Sequence, residues 1–466
     1  MVEGYAVCID VGKTLSKVTL WSREGTLLDR QVRPNAAASI EGLCRLDAAG
    51  IGAWLMDALA RYASQPVEFI VPVAHGAAAA VIEDGALAFP PIDYEQAQPE
   101  DIYAAYRAER PTFAETGSPC LPNGLNLGAQ LNWLENLYPQ AMEGGTIVPW
   151  PQYWAWFLSG RCVSEVTSLG CHSDLWSPLT GQFSSLARLK GWDQRFAPLV
   201  EAGEIVGQLR ADIAAKTGLP KTTKILAGLH DSNAALMAAR GFPQISGREA
   251  TVLSTGTWFI AMRMARERIE MERLPEARDC LINVDAYSAP VPSARFMGGR
   301  EIKTLIGEAT GRIDDKAIQS ALIAAVPQVL GEQAMVLPTC APGCGPFPHG
   351  QSEWLNPPAD RNARLAAVCL YAALVTDASL RLIGSTDCLI VEGRFADSEV
   401  FVRVLASLRP DLQVFVADAE TDVSFGALRL IDPELEPEAA LRPVEPLDHD
   451  LSAYAEKWHS HVEAFA

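Results

Sequence analysis

The sequence predicts an α/β protein with two related domains, each built on a mixed β-sheet flanked by helices. Three observations carry that expectation. First, Tyr5-Ala-Val-Cys-Ile9 and Lys17-Val-Thr-Leu-Trp21 are β-rich runs on either side of a polar turn, Asp10 to Ser16, and Arg23-Glu24-Gly25 marks a further turn before Thr26 to Arg33. Ile51, Trp54, Leu55, Ala58, Leu59 and Tyr62 then recur at helical spacing, and Val67 to Val73 is a continuous apolar run of the kind found in buried strands. Meander, helix and buried strand in that order read as an α/β unit. Second, a similar opening recurs later: Glu249-Ala-Thr-Val-Leu253, the turn Ser254-Thr255-Gly256-Thr257, then Trp258-Phe-Ile-Ala-Met262. Third, Gly241-Phe-Pro243-Gln-Ile-Ser-Gly247 carries the Gly and Pro punctuation of a linker between the two.

These signals divide the chain into 1–243, 244–431 and a tail, 432–466. From Asp432 to Asp450 the tail has four prolines and seven acidic residues against Arg442 alone, an extended composition. It ends in Leu451, Tyr454, Trp458, Val462 and Phe465, spaced for a short helix that docks on the body. Leu365 to Val375 is eleven uncharged residues, short of the roughly 20 that a membrane span needs, and reads as a core helix.

Composition narrows the function. With 38 Lys and Arg against 57 Asp and Glu, the net charge of -19 repels polyanions, so nucleic acid and anionic membrane surfaces are poor partners. Ten cysteines in 466 residues are too dilute for a disulfide scaffold, and the first residues lack a secretory pattern, which points to a reducing cytoplasm. Cys340-Ala-Pro-Gly-Cys344 with His349 offers fewer ligands than a closed zinc site needs, and a tight Pro/Gly loop explains the same residues.

Four segments carry candidate chemistry. In Asp10-Val11-Gly12-Lys13-Thr14, a glycine turn lets backbone N–H groups approach a phosphate, Lys13 or Lys17 supplies positive charge, and Asp10 at a strand end suits Mg²⁺. A plain hairpin turn is the other reading. A P-loop is not, because position 7 is Val7 rather than glycine and a strand follows. In Lys224-Ile-Leu-Ala-Gly228-Leu-His230-Asp231, an apolar strand leads to a carboxylate just before a helix. Asp231 is there either a general base or simply the helix cap. Gly256 and Thr257 form a second polar turn. Glu392-Gly393-Arg394 ends a buried strand, and Ser424-Phe425-Gly426-Ala427 is a small-residue turn or helix start that suits a flat ring or close packing.

Taken in order, Asp-x-Gly near the start, Gly-x-His-Asp before the midpoint, Gly-Thr some 25 residues later and Gly-Ala near the end resemble the FGGY family of carbohydrate kinases. Ala74-His75-Gly76, Asn126-Leu-Gly-Ala-Gln130-Leu-Asn-Trp133-Leu134, Tyr153 to Arg161 with Glu165-Val-Thr167-Ser168, and Leu337-Pro338 with Gly343 and Pro346 resemble further family segments, so the likeness spans about 4–431. It implies two actin-like, ribonuclease H-like domains around an interdomain cleft, and transfer of the γ-phosphate of ATP to a hydroxyl of a ketose or related polyol. It also implies roles: Asp231 as general base, Asp10 and Asp231 as carboxylates for Mg²⁺, and Gly12, Lys13, Thr14 and Lys17 at the phosphates opposite Gly256 and Thr257. Gly393 and Gly426 then lie near adenosine, with His75, Gln130 and Asp93 on the sugar side. The expected partner is a small-molecule sugar, and a homodimer stays open.

The chain also departs from the family pattern. Gly12-Lys13-Thr14 stands for the usual Gly-Thr-Thr or Gly-Thr-Ser, Gln130 for Lys, Glu392-Gly393 for Gly-Gly, and Pro91-Ile92-Asp93-Tyr94-Glu95 for a Trp-x-Asp-x-Arg sugar segment. These departures motivate an alternative, a sugar-binding sensor or scaffold that catalyses weakly or not at all. A kinase acting on a carboxylate is a more remote one.

Overall fold

The computed structural model describes residues 4–267, 269–417 and 423–465. The chain forms two compact units. One comprises Met1–Gly241, Ile282–Pro290 and Thr421–Glu438, and the other comprises Phe242–Leu281, Val291–Glu420 and Ala439–Ala466.

The first unit is built on a mixed sheet whose strands run in the order Ile205–Gln208, Lys224–Leu226, Val67–Ala74, Tyr5–Val11, Leu15–Trp21, Leu27–Pro34, with Leu229–His230 also paired to Val67–Ala74. Tyr5–Val11 lies antiparallel to Leu15–Trp21 and parallel to Val67–Ala74. The strand runs two residues past the Ile9 expected from β-propensity. Lys17 sits directly opposite Asp10 across the ladder, and opposite charges so placed support a cross-strand pair. The turn is therefore only Gly12 to Thr14.

Alternation along the strand buries both faces. Val7, Ile9 and Val11 pack with Ile51, Leu55, Ala58 and Leu59 of the helix Ala48–Ala60 and with Trp150 and Trp154. Ala6 and Cys8 pack on the other face with Ala234 and Met237 of the helix Asp231–Ala239 and with Phe425 and Leu428 of Val423–Leu428. Sheets covered by helices on both faces show such continuous apolar strands. The helix expected from the spacing of Ile51 to Tyr62 starts earlier, at Ala48, because Asp47 caps it by accepting the Gly50 N–H at 2.9 Å.

The second unit repeats the motif. Ala250–Thr255 is antiparallel to Phe259–Met264 and parallel to Asp387–Gly393, which is in turn parallel to Leu412–Val416. Its helix Arg361–Leu382 is capped by Asp360, runs well beyond the eleven residues that suggested it, and meets the length and apolarity of a membrane span. Most of it is buried inside the protein, as are 89% of the residues in its most apolar window. The terminal helix Ser452–Val462 docks within the same unit. Its Trp458 is fully buried and donates from Nε1 to the Val336 carbonyl at 2.8 Å, and Tyr454 donates to the Ala334 carbonyl at 2.6 Å.

Candidate active site

Strand register gathers the residues of the first unit. Val11 pairs with Ala74, and Ala74 pairs with His230, all in parallel strands. Asp10, His75 and Asp231 are each within one residue of that row, so they share the carboxyl end of the sheet, where α/β proteins place ligands. The His75 N–H closes the row on the Val11 carbonyl at 3.1 Å.

Asp231 is the first residue of a nine-residue helix, where the aligned peptide dipoles favour a negative charge. Its Oδ1 accepts from the Ser232 N–H at 2.6 Å and lies 3.1 Å from His230 Nε2, while its side chain keeps 31% exposure. Burial works to raise the Asp231 carboxyl, but the charge and hydrogen bond of His230 together with the Ser232 N–H hold the group below the usual carboxylate range. Asp231 is thus an ionised, reachable carboxylate. Helix capping does not exhaust its role, since the cap position falls on His230 and Asp231 lies inside the first turn.

Around it, Lys17 Nζ lies 3.2 Å from the buried Asp10 carboxylate. His75 is buried and donates from Nδ1 to the Gly76 carbonyl at 2.8 Å, and burial lowers its pKa. A neutral ring bonded this way leaves Nε2 as an acceptor for a hydroxyl.

Gly12 donates its N–H to the Leu15 carbonyl at 3.0 Å, and a Cβ there would stand 2.8 Å from that oxygen, so the turn admits little but glycine. Thr14 is exposed. Lys13 does not extend along the turn: its ammonium pairs with Asp93, lies 3.4 Å from Glu95 and sits 4.6 Å from the Tyr94 ring centroid. Asp93 is only 1% exposed, so Lys13 ties the first turn to the 91–95 segment. Lys13, Asp93, His75, Asn35 and Asp47 line a cavity of about 20 Å³, room for a single water. Gln130, also buried, spends its amide nitrogen on the Ala77 and Gly124 carbonyls, both at 2.6 Å, and so supports the chain just after His75.

Gly426 lies in the helix Val423–Leu428, and a Cβ there would fall 1.8 Å from the Ala234 carbonyl. Close approach of two helix backbones accounts for this glycine.

In the second unit Thr255 pairs with Gly393 at the carboxyl ends of parallel strands. Gly393 has φ 81° and faces the Thr255 carbonyl so closely that a Cβ would stand 2.5 Å away. Thr255 Oγ1 donates to the Glu392 carbonyl at 2.6 Å and accepts the Phe395 N–H at 3.0 Å, joining the two strand ends. The Gly256 N–H is held by the Trp258 carbonyl at 3.0 Å, and Thr257 is exposed beside it. Burial pushes the Glu392 carboxyl up to about 7, against a hydrogen bond from Ser254. The sequence reading missed two groups. Gly299, at the start of the helix Gly298–Ile306, approaches the Gly256 carbonyl so nearly that a Cβ would lie 2.1 Å from it; the Gly298-Gly299 doublet was the available signal. Glu165, Thr167 and Cys171 surround His230, with Cys171 Sγ 3.9 Å from its Nε2. Among the described residues no three His, Cys, Asp or Glu side chains are grouped to hold a metal, and Cys340 instead contacts Ser352.

Two units, each an antiparallel hairpin joined to parallel strands with ligand-competent turns at the carboxyl ends, define an actin-like sugar-kinase fold. Residues 247–439 match the C-terminal domain of the carbohydrate kinase FGGY family. A crystal structure of a carbohydrate kinase from Novosphingobium aromaticivorans is 59% identical, with a TM-score of 0.97 over 100% of this chain and 99% of that one. A rhamnulokinase from Ligilactobacillus salivarius is 32% identical over 110 residues, 23% of this chain and 22% of the relative. An L-fuculokinase from Escherichia coli K12 is 29% identical over 143 residues, 28% of each chain. The chain therefore matches about a quarter of the length of these two curated relatives. It belongs to the FGGY family of carbohydrate kinases.

Proposed function

We propose that this protein transfers the γ-phosphate of ATP to a hydroxyl of a ketose or related polyol, with Asp231 as the general base. The observation that carries the reading is an ionised, partly exposed carboxylate at the carboxyl end of the sheet, one residue beyond the row that aligns Val11, Ala74 and His230. A positioned carboxylate takes the hydroxyl proton as the phosphoryl group arrives, while positioning and charge neutralisation do the rest. His75 Nε2 supplies an acceptor for a second hydroxyl.

Charge supports a neutral acceptor. Asp10, Asp93, Glu95 and Asp231 are four carboxylates facing Lys13, Lys17 and His230, and that excess of negative charge disfavours a sugar acid. Asp10 and Asp231 are hard oxygen donors that suit Mg²⁺, an ion that uses one or two carboxylates with waters and phosphates. When bound, it neutralises charge on the phosphates. The Gly12 and Gly256 turns, the latter with Thr257, are the candidate phosphate contacts, and Gly393 a candidate neighbour of adenosine. The names rhamnulokinase and L-fuculokinase direct the first assays to their ketose substrates. Ten free thiols accord with a reducing cytoplasm.

The competing reading, a sugar sensor, draws on the engagement of Lys13 by Asp93. A coupled ADP assay across ketopentoses, ketohexoses, 6-deoxy ketoses, polyols and sugar acids separates the two. Sugar-dependent ADP release supports the kinase, and sugar binding with no ADP release supports the sensor.

A further inference from the structure

Asp231 is held from behind by hydrogen bonds that meet at His230, one on its backbone and one on its ring. Glu165 is 1% exposed, and its Oε2 accepts both the N–H and the hydroxyl of Thr167. The Thr167 hydroxyl oxygen in turn accepts the backbone N–H of His230 at 2.9 Å, and His230 Nε2 reaches Asp231 Oδ1 at 3.1 Å. Thr167 is fully buried and uses its hydroxyl once as donor and once as acceptor. The peptide it grips immediately precedes the carboxylate that would take the substrate proton. Glu165 Oε1 and His230 Nδ1 are buried with no hydrogen-bond partner among the described residues, so the cluster is not packed for stability alone.

We propose that Glu165 and Thr167 are positioning residues for catalysis: together they fix the His230 peptide plane, and with it the direction of the Asp231 carboxylate. This rests on the reading of Asp231 as general base. A displacement of about 1 Å at a reacting group costs on the order of 100-fold in rate, so the effect belongs in kcat and not in sugar binding.

The charge state of Glu165 gives a second, independent readout. Burial pushes its carboxyl up to about 8, against the pull of its Thr167 hydrogen bonds and of His230. The groups facing it are Thr167, His230 and Asp285, and Asp285 is itself paired to Arg240 at 2.6 Å. Glu165 is therefore a neutral acid at pH 7 and gains charge above about pH 8, close behind His230 and Asp231.

The test uses the full chain and a sugar that the wild type phosphorylates. Thr167→Val removes the hydroxyl and keeps the shape; it lowers kcat by about 10- to 100-fold with sugar KM changed less than about 3-fold, and Thr167→Ser restores most of the loss. The wild-type kcat profile shows an alkaline limb near pH 8 that Glu165→Gln removes. If Thr167→Val fails to fold, the Glu165→Gln profile decides. Wild-type kcat in Thr167→Val, a loss confined to KM, or an unchanged alkaline limb in Glu165→Gln overturns the proposal. An inactive Asp231→Asn beside a fully active Thr167→Val would leave the kinase reading standing and remove only the positioning claim. A wild type that releases no ADP with any sugar would remove both.

Discussion

Replacing Glu165 by Gln converts a titrating buried acid into a permanently neutral amide of the same shape, and the structure sets the sign and size of the consequence. In the unfolded chain a glutamate loses its proton near 4.5, whereas in the fold burial delays that loss to about 8. Between those values the native state holds a proton that the unfolded state has released, so wild-type stability falls as pH rises through the window. Each unit of pH there is worth about 1.4 kcal/mol, so from pH 5.5 to 7.5 the wild type loses about 3 kcal/mol relative to Glu165→Gln. That corresponds to a relative shift on the order of 5 °C in the melting of the first unit. Other groups titrate in both proteins and cancel in the difference. Denaturant-dependent hydrogen exchange, read on peptides covering 5–21 and 67–74, reports the first unit alone. A wild-type-minus-variant stability difference that stays constant across this range would refute both the burial argument and the neutral-acid assignment.

Lys13→Ala leaves the Asp93 carboxylate buried without its ammonium partner, a loss of about 3 kcal/mol locally, and raises sugar KM more than ATP KM in steady-state kinetics; an effect on ATP KM alone would return Lys13 to a phosphate role. Gly426→Ala places a methyl group 1.8 Å from the Ala234 carbonyl and costs about 3 kcal/mol in urea unfolding, and a variant as stable as the wild type would contradict the packing account. Trp458→Ala empties a fully buried site and strands the Val336 carbonyl, for a loss of about 4 kcal/mol confined to the second unit. Exchange protection that is unchanged around 335–337 would show that the terminal helix adds little.

Local signals were the legible ones. Strand, turn and strand around Gly12 and around Gly256 are short-range patterns, and the carboxylates Asp10 and Asp231 follow strands whose apolar runs end visibly. The limits of the Asp10 strand were misread because a lone aspartate has low β-propensity, while the lysine that supports it sits across the ladder. The place of Lys13 was hidden for a related reason: its nearest carboxylate is 80 residues away in the chain. Glu165 and Thr167 stood in a recognised segment, yet their importance depends on a contact with His230 across 63 residues. The return of 282–290 and 421–438 to the first unit joins segments far apart in the chain, which Pro290, Pro433 and Pro437 by themselves do not signal. Gly393 and Gly426 look alike in sequence, but the first has positive φ at a strand end and the second is a helix-packing residue.

The central claim is that Asp231 takes the proton of a sugar hydroxyl as phosphate is transferred. Asp231→Asn keeps the size of the side chain and removes its basicity. With a sugar that supports ADP release by the wild type, the variant is expected to lose about 10³-fold or more in kcat while sugar KM stays within a few-fold. Turnover at the wild-type rate in Asp231→Asn would contradict the assignment.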